Sequence, residues 1–286
     1  MTPKITSLQP EAIPALQFLQ DQQLPPQVRA RLDHDLQDSA RGHGRQAILA
    51  WRGDVVAGCA GWVTLGIAAD GCAYGSPVVA ADVEVAESLI MAVSEKVRSS
   101  GARRLRISAH ASEFAKHEAL KAAGFTPLFE FASFALRLPL ANPSELPAGL
   151  HAVHFDQIDW SQMRACYAET FADVPNSPVP EINVIREEWS EGDRQAGRIL
   201  ADETGEYQAF SLICGNSVEA VGVRSGWRGR NLAATLYHIA AAALTARGCS
   251  EMRALVASTN MASMRLHQKL GFSEIATRRT VYEIGL

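Results

Sequence analysis

Three features are scarce or absent in this 286-residue sequence, and each removes a class of protein. The five cysteines are odd in number and scattered, which indicates reduced thiols rather than a disulfide framework or a metal centre. The formal net charge is only −4, which argues against nucleic acid or an anionic membrane as partner. No apolar run suits a bilayer, and the polar, proline-interrupted start does not resemble a signal peptide. We expect a cytoplasmic protein, without metal, that binds small molecules or peptides.

The length and composition predict two globular domains. The chain is longer than a usual domain of about 100–200 residues, and its 47% hydrophobic content is enough for two cores. The stretch 138–149 contains three prolines and a glycine, so it cannot form regular structure. We therefore predict domains at 1–140 and 150–286, joined by a proline-rich linker at 141–149.

Hydrophobic periodicity gives the two halves a similar order of elements, which indicates an internal repeat. Both halves contain strand, helix, strand and helix in succession, and the two last helices end in Gly-Phe, at 124–125 and 271–272. The first half is predicted to contain a hairpin at 47–51 and 55–65, a helix at 84–99 and a strand at 104–109. The second half is predicted to contain helices at 158–171, 181–191 and 232–246, and strands at 217–223 and 252–257.

The most informative segment runs from Val221 to Leu236, where an apolar strand leads through a basic, glycine-containing turn into a helix. Such a turn directs backbone N–H groups and the positive end of the helix dipole to one point. Arg228 and Arg230 add full charges beside it, so a diphosphate would fit there. Taken alone, the segment is equally consistent with an ordinary loop that carries solvated arginines.

The residues that follow favour the anion site. The turn reads Arg-Gly-Arg-Asn-Leu-Ala at 228–233, and a later helix begins with Asn260 and closes at Gly271-Phe272. In order and spacing these motifs resemble the GNAT superfamily of acyl-CoA-dependent N-acyltransferases. The resemblance implies an α/β (α+β) fold of two tandem GNAT-like domains, each a mixed central sheet flanked by helices.

The resemblance also implies a binding mode for the cofactor, acetyl-CoA. The pantetheine arm would pair with the strand at Val221, Gly222 and Val223 as an added strand does. Asn260 would bond the cofactor from the later helix. The coenzyme A pyrophosphate would be cradled by Arg228, Gly229, Arg230, Asn231, Leu232 and Ala233.

Amine attack on a thioester needs a base, a donor to the carbonyl oxygen and an acid for the leaving sulfur. Glu219 is the candidate base, because strand alternation places it on one face with Val221 and Val223. The backbone N–H of Val223 is the candidate oxyanion donor. His267 stands where the family often has the tyrosine that protonates the thiolate. An imidazolium could supply that proton, and Tyr282 or water are open alternatives.

Asn231 stands where the family most often has glycine. Glycine lets the backbone approach a phosphate closely and adopts left-handed geometry without cost. Asparagine is the next best tolerated residue in that geometry. We therefore expect a weakened rather than an absent cofactor loop.

The first half lacks the basic turn. Asp82 and Glu84 lie where a phosphate would need cations, and Glu113 replaces the counterpart of Asn260. Carboxylates at a helix N-terminus satisfy its dipole themselves and repel a diphosphate. We expect a degenerate domain that serves as scaffold or as a wall of the acceptor pocket. The alternative is cofactor binding through a different loop.

The leading prediction is an acetyltransferase that acts on a primary amine in a ternary complex. The alternatives are a non-catalytic acyl-CoA-binding regulator and a structural Rossmann-like protein. The acceptor is left open as a small molecule or a peptide, and Asp173 and Trp189 are candidates to contact it. The closing strand at 280–284 leaves pairing into a homodimer open.

Overall fold

The computed structural model describes residues 2–9, 32, 34–140, 146–172, 174, 177, 179–275 and 278–286. The chain divides into two compact units. The first contains residues 1–130 together with 279–286, and the second contains residues 131–278.

The first unit is a mixed sheet with helices. Strands β1 to β5 and the last strand, β13, lie in the order β1-β2-β3-β4-β5-β13. β4 and β5 pair in parallel, over Cys72–Gly75 and Arg104–Ile107. The strands are β1 (Lys4–Ser7), β2 (Ala47–Arg52), β3 (Val55–Val63), β4 (Cys72–Ala80), β5 (Arg104–His110) and β13 (Arg279–Gly285). The helices of this unit include α1 (Ile67–Asp70), α2 (Val83–Ser99) and α3 (Phe114–Ala122).

Local sequence explains why α2 forms where it does. Asp82 caps its N-terminus by accepting a hydrogen bond from the Val85 N–H (3.1 Å). Apolar residues recur at helical spacing, and six residues of one face, including Leu89 and Val93, are buried in the core of the unit. Tyr282 of β13 belongs to the same core.

The second unit is also a mixed sheet flanked by helices. Its strands lie in the order β6-β11-β10-β9-β8-β7, and the short β12 pairs with β6. The strands are β6 (Thr126–Arg137), β7 (Leu150–Ala152), β8 (Arg198–Asp202), β9 (Tyr207–Cys214), β10 (Ser217–Val223), β11 (Glu251–Ala257) and β12 (Ser273–Glu274). The helices are α4 (Trp160–Phe171), α5 (Ile182–Glu191), α6 (Leu232–Ala246) and α7 (Met261–Leu270).

Two of the buried apolar clusters of the second unit hold its helices against the sheet. Helices α6 and α7 contribute to one of them together with β6 and β11, including Phe134, Tyr237 and Phe272. Helices α4 and α5 contribute to the other, in which the fully buried Phe210 ring lies 4.3 Å from the stacked Tyr167 ring. The strands between these two clusters pack against both of them, and this packing keeps the strands that carry the candidate site in position.

The predicted elements agree with the structure to within a few residues, but the units differ from the predicted domains at their ends. The sequence places β6 in the first domain and the last strand in the second. In the structure, residues 131–137 of β6 pair with β11 in the second unit, and β13 pairs with β5 in the first. Residues 146–149 of the predicted linker at 141–149 lie in the second unit, and its residues 141–145 are outside the described residues.

The neighbours of β13 also bear on the homodimer that the sequence left open. β13 lies between β5 and the beginning of β6, and Thr126 Oγ1 donates a hydrogen bond to the Glu283 carbonyl oxygen (3.4 Å). Both edges of the strand at 280–284 are therefore occupied within the chain. The strand thus presents no open edge to a second copy, so the homodimer that the sequence left open would have to form through another surface.

Candidate active site

The sheet of the second unit opens between β10 and β11. These two strands are paired in parallel only at Ser217 with Arg253 and Val218 with Ala254. β11 continues to pair with β6 as far as Ala257, and β10 continues to pair with β9 as far as Val223. The two strands therefore separate after Val218, and each leaves one backbone edge facing the gap.

A β-bulge at Glu219 marks the start of the opening. Val218 is opposite Ile213 and Ala220 is opposite Leu212, so Glu219 is an extra residue in β10. Val218 and Val221 consequently pack against the same core although they are three positions apart. The alternation on which we predicted a common face for Glu219, Val221 and Val223 is thus interrupted at Glu219. The carboxylate side chain is nevertheless exposed and lines the cavity described below.

The register of β10 shows which backbone groups face the gap. The Arg224 N–H donates to the Gln208 carbonyl oxygen (2.9 Å), and these residues are opposite each other. In an antiparallel pair, hydrogen-bonded residues alternate with residues whose N–H and C=O groups point outward. Val221 and Val223 are the outward-pointing residues, so their backbone groups are directed toward the gap, where an extended ligand could pair with them.

A cavity of about 570 Å³ occupies the gap. Its walls are β10 from Val218 to Val223 and β11 from Ala254 to Ala257, together with the first turns of α7. Residues of α4 and α6, Phe131 of β6 and the loop after α4 complete the lining. All of these residues belong to the second unit. The cavity brings together Glu219, Arg228, Ala233, Asn260 and His267, which the sequence analysis had singled out separately.

The basic turn at one end of the cavity is held by hydrogen bonds to its neighbours. Arg228 donates from Nε to the Val223 carbonyl oxygen (3.1 Å) and from a terminal nitrogen to the Thr170 carbonyl oxygen (3.3 Å). Glu169 accepts hydrogen bonds from the N–H (3.1 Å) and hydroxyl (3.0 Å) of Ser225. The sequence did not reveal these contacts with α4, because the partners are more than 50 positions apart. They fix the Arg228 guanidinium at the cavity before any ligand binds.

The remaining residues of the turn have different placements. Gly229 and Asn231 have positive φ angles of 77° and 60°. Asn231 therefore adopts the left-handed geometry for which the family usually has glycine. α6 begins at Leu232, and its first N–H groups point out of the helix end because they have no partner within the helix. The Arg230 guanidinium lies over the Trp227 ring at 4.6 Å and is not among the residues that line the cavity.

Asn260 has a structural task at the start of α7. Its Oδ1 accepts a hydrogen bond from the Ser263 N–H (3.0 Å), which caps the helix. The side chain lines the cavity at the same time. Its amide nitrogen is the group that could donate to a ligand, since the oxygen already has a partner.

His267 is buried, only 2% exposed, and its two ring nitrogens have defined partners. Nδ1 lies 2.8 Å from the Ser263 carbonyl oxygen, which can only accept, so Nδ1 carries the hydrogen. Nε2 lies 2.8 Å from the Tyr237 hydroxyl and accepts its hydrogen. Burial lowers the pKa of His267, although the Ser263 hydrogen bond opposes the shift. A neutral imidazole with this tautomer has no proton for a thiolate, contrary to the role predicted for an imidazolium here.

Tyr237 is a cavity residue that the sequence analysis missed. It lies on the buried face of α6, where the sequence pattern predicts an ordinary core residue. No local pattern connects it with His267, which is 30 positions later. The other predicted donor, Tyr282, belongs to the first unit, and its hydroxyl oxygen lies 2.9 Å from Nδ1 of His117. Tyr282 is not among the residues that line the cavity.

The burial of His267 predicts a pH dependence of stability. Its folded pKa lies below the unfolded value of about 6.5, so between the two the unfolded state binds more protons. We expect the free energy of unfolding to fall as pH is lowered from about 7 toward 5, and the loss to level off below the folded pKa. Urea denaturation across this range measures it.

The control for this prediction is a second histidine of the same unit. His267→Gln should flatten the pH dependence, whereas His238→Gln, at a half-buried position on α6, should leave its slope unchanged. Equal slopes in the wild type and the His267 variant would contradict the assignment of the neutral state.

Of the two residues that were candidates to contact the acceptor, the structure describes only Trp189. Trp189 is a core residue, 2% exposed, whose Nε1 donates to the Tyr167 hydroxyl (3.2 Å). Asp173 lies outside the described residues.

The corresponding region of the first unit is arranged differently. Asp82 forms an ion pair with Arg52, which also contacts Glu84 (2.8 Å). Burial acts to raise the pKa of Asp82, but the Val85 N–H and the Arg52 guanidinium lower it overall. Glu113 accepts a hydrogen bond from the His110 N–H (2.7 Å) and pairs with the buried Lys116 (2.6 Å). Asp82, Glu84 and Glu113 are thus each paired with a cationic side chain within the protein.

Three further observations concern metal ligands, cysteines and membrane-spanning helices. No group of three or more His, Cys, Asp or Glu side chains in this part of the chain could hold a metal ion. None of the five cysteines lines the cavity, and burial raises the pKa of Cys166 to about 11. Within the described residues no helix is both long enough and apolar enough to cross a bilayer.

Comparisons with known proteins show which family and which solved structures this chain is similar to. Residues 158–272 match the model of the acetyltransferase (GNAT) family. A GCN5-related N-acetyltransferase from Sphaerobacter thermophilus is 18% identical and superposes with a TM-score of 0.72, covering 99% of this chain and 96% of that one. A tandem GNAT protein from the clavulanic acid biosynthesis pathway is 12% identical, with a TM-score of 0.71 and coverage of 99% and 98%. No curated protein matches the chain in sequence.

The matched residues 158–272 contain all of the cavity-lining positions except Phe131. The structural similarity extends beyond them to both units, which confirms the predicted fold class. The chain therefore has the fold of the GNAT acetyltransferases, and the segment that builds its cavity matches that family.

Proposed function

We propose that the second unit transfers an acetyl group from acetyl-CoA to a primary amine by direct attack in a ternary complex. The observation that carries this proposal is the opening of the sheet between β10 and β11. There the Glu219 carboxylate and the Arg228 guanidinium, which is fixed by hydrogen bonds, line one cavity. A cytoplasmic location belongs to the same proposal. The absence of a cysteine from the described lining favours direct attack over an acyl-enzyme.

The cofactor would lie along β10 with its diphosphate at the start of α6. Arg228 and the first N–H groups of α6, from Leu232 and Ala233, would bind the phosphates. Gly229 and Asn231 give the turn its left-handed geometry, and Arg230 would reach the phosphates by leaving Trp227. The pantetheine arm would pair with the outward backbone groups of Val221 and Val223, across Gly222.

In the proposed reaction Glu219 accepts a proton from the acceptor ammonium, directly or through a water. The thioester oxygen must then lie near Glu219. An extended strand rises about 3.3 Å per residue, so Val223 is roughly 13 Å along β10 from Glu219, whereas Val221 is about 7 Å away. This spacing favours the Val221 N–H over the Val223 N–H as the oxyanion donor. Water protonates the thiolate, since the Tyr237 hydroxyl hydrogen is held by His267.

The first experiment is calorimetric titration with acetyl-CoA, combined with a free-thiol assay on a panel of amines. One site per chain together with amine-dependent thiol release supports the proposal and a degenerate first unit. Two sites would contradict the degenerate reading. No binding, or binding without turnover of any amine, would contradict the proposed activity.

A matched pair of variants tests the placement of the cofactor. Arg228→Ala should weaken acetyl-CoA binding by about ten- to hundredfold, because a charge-assisted hydrogen bond contributes about 1.5–3 kcal/mol. Arg265→Ala removes an exposed arginine of α7 that does not line the cavity, so it should leave the affinity unchanged. If the two variants bind acetyl-CoA with equal affinity, the turn that carries Arg228 is not the phosphate-binding site.

A non-catalytic acyl-CoA-binding regulator is the second candidate function. The observation that favours it is the neutral state of His267. In the family, the side chain at this position often protonates the departing thiolate, and a neutral His267 has no proton to give. A regulator would bind acetyl-CoA without turning over any amine.

A further inference from the structure

Helix α4 ends with a carboxylate that contacts the basic turn. Glu169 lies in the last turn of α4, and its Oε1 accepts hydrogen bonds from the N–H (3.1 Å) and the hydroxyl (3.0 Å) of Ser225. Its Oε2 lies 3.3 Å from a terminal nitrogen of Arg224. Among the described residues, the hydrogen bonds and the ion pair of Glu169 therefore both lead to the turn.

Two electrostatic effects oppose a carboxylate at this position. The C-terminal end of a helix carries partial negative charge, which disfavours an acidic side chain in the last turn. The carboxylate is also close to the proposed phosphate site, since Arg228 donates a hydrogen bond to the carbonyl oxygen of Thr170, the next residue of α4 (3.3 Å). A negative charge there repels a diphosphate. Charge alone would therefore favour a neutral residue in place of Glu169.

Glu169 is nevertheless held in its ionised form. Partial burial acts to raise its pKa, but the hydrogen bonds from Ser225 and the charges of Arg224 and Arg228 lower that pKa overall. The side chain is 39% exposed, so it is not a core residue. Arg224 does not depend on it for neutralisation, because Glu206 is a second partner of that guanidinium. The contact that no other side chain duplicates is the one with Ser225.

That contact caps the helical turn Ser225–Trp227, which leads into Arg228. Arg224, the residue before this turn, can only donate hydrogen bonds and cannot cap it. Glu169 instead accepts the first N–H of the turn from α4. The Arg228 N–H donates in its turn to the Ser225 carbonyl oxygen (3.2 Å). Holding Ser225 therefore also holds the backbone of Arg228.

We infer that Glu169 is a positioning residue, which fixes Ser225 so that the turn presents Arg228 and the start of α6 to the diphosphate. This inference rests on the proposed function. Glu169 does not line the cavity, so it acts through the turn and not on the ligand. Where only a fraction of the molecules has the competent turn, the apparent affinity for the cofactor falls by that fraction.

Two variants of Glu169 separate position from charge. Glu169→Ala removes both the charge and the acceptor for Ser225, and it should weaken acetyl-CoA binding by about tenfold in calorimetric titration. Glu169→Gln removes the charge but keeps an oxygen that can accept from Ser225, so its affinity should stay within about threefold of the wild type. A purely electrostatic role predicts the opposite sign, because both changes remove a negative charge beside an anion site.

Glu181→Ala is the matched control. Glu181 is an exposed carboxylate that pairs with α4 through Arg164 (3.3 Å) and does not line the cavity, so its loss should leave the affinity unchanged. Ser225→Ala is a milder variant that removes one of the two hydrogen bonds to Glu169. It should weaken binding by about threefold, and it carries the test if Glu169→Ala does not fold.

A truncated thioester distinguishes positioning of the turn from a general structural role. S-acetylpantetheine has the thioester but no phosphate. With a saturating amine, Glu169→Ala should lower kcat/KM by about tenfold for acetyl-CoA and leave kcat/KM for S-acetylpantetheine unchanged. The kcat at saturating acetyl-CoA should also be unchanged. Without ligand, hydrogen exchange of peptides from the turn should be faster in this variant than in the wild type.

The outcomes separate the inference from the function on which it rests. The inference fails if Glu169→Ala binds acetyl-CoA as tightly as the wild type, if Glu169→Gln binds as weakly as Glu169→Ala, or if kcat/KM falls equally for both thioesters. Acetyl transfer by the wild type stands in each of these cases. If the wild type does not bind acetyl-CoA, the proposed function fails, and the inference with it.

Discussion

Replacement of Gly222 by alanine is expected to lower the free energy of unfolding of the second unit by about 1–3 kcal/mol or more. A Cβ at this position would lie 2.7 Å from Cζ of Phe210 and 2.8 Å from Oγ1 of Thr170. Phe210 is fully buried and its ring is packed against Tyr167, so it cannot move aside without disturbing the core. Urea denaturation measures the loss, and hydrogen exchange of peptides from β9 and β10 locates it.

Gly226→Ala is the matched control. Gly226 lies in the nearby turn with an ordinary φ angle, and a Cβ there would meet nothing within 4 Å. We expect this variant to keep the wild-type stability. If both variants unfold at the same urea concentration as the wild type, the close packing of Phe210 against β10 is wrong.

Glu219→Gln is expected to reduce the rate of amine-dependent thiol release by about 10²- to 10⁴-fold, the range for loss of a general base. The change preserves the size of the side chain while removing its negative charge at the bulge. Acetyl-CoA affinity should change little, because the proposed phosphate contacts lie at the other end of β10. Rates with a saturating amine and calorimetric affinities separate the two effects.

Glu203→Gln is the control for this prediction. Glu203 is exposed in the turn between β8 and β9 and does not line the cavity, so its loss should not alter the rate. A wild-type rate in the Glu219 variant would remove this residue as the base. It would leave proton transfer to solvent water.

Much of the second unit could be predicted from local sequence. The extents of α6 and β11 follow from apolar periodicity, and the predicted helix at 232–246 is confirmed residue for residue. The left-handed conformation at Asn231 follows from the glycine that the family has there, and the structure confirms it with a φ of 60°. These features depend on a few consecutive residues, so a sequence is enough to predict them.

The site was predicted less completely. The sequence brought Glu219, Arg228 and Asn260 to attention, and the structure places all three on one cavity. It could not show that Arg228 is bonded to α4 or that His267 accepts a hydrogen bond from Tyr237. Partners 30 or more positions apart leave no periodic signal in a single chain, so the sequence could not assign the roles that depend on them.

The sequence is sufficient to predict the order of the elements, the basic turn before α6 and the repeat of one fold along the chain, because these depend on local periodicity and on turn chemistry. It is not sufficient to predict where the sheet opens, which strand closes each unit or which tautomer His267 adopts. Strand pairing and burial are set by contacts between distant segments. The bulge at Glu219 is visible only against its partner strand β9, and the neutral state of His267 depends on the side chains that exclude water from it.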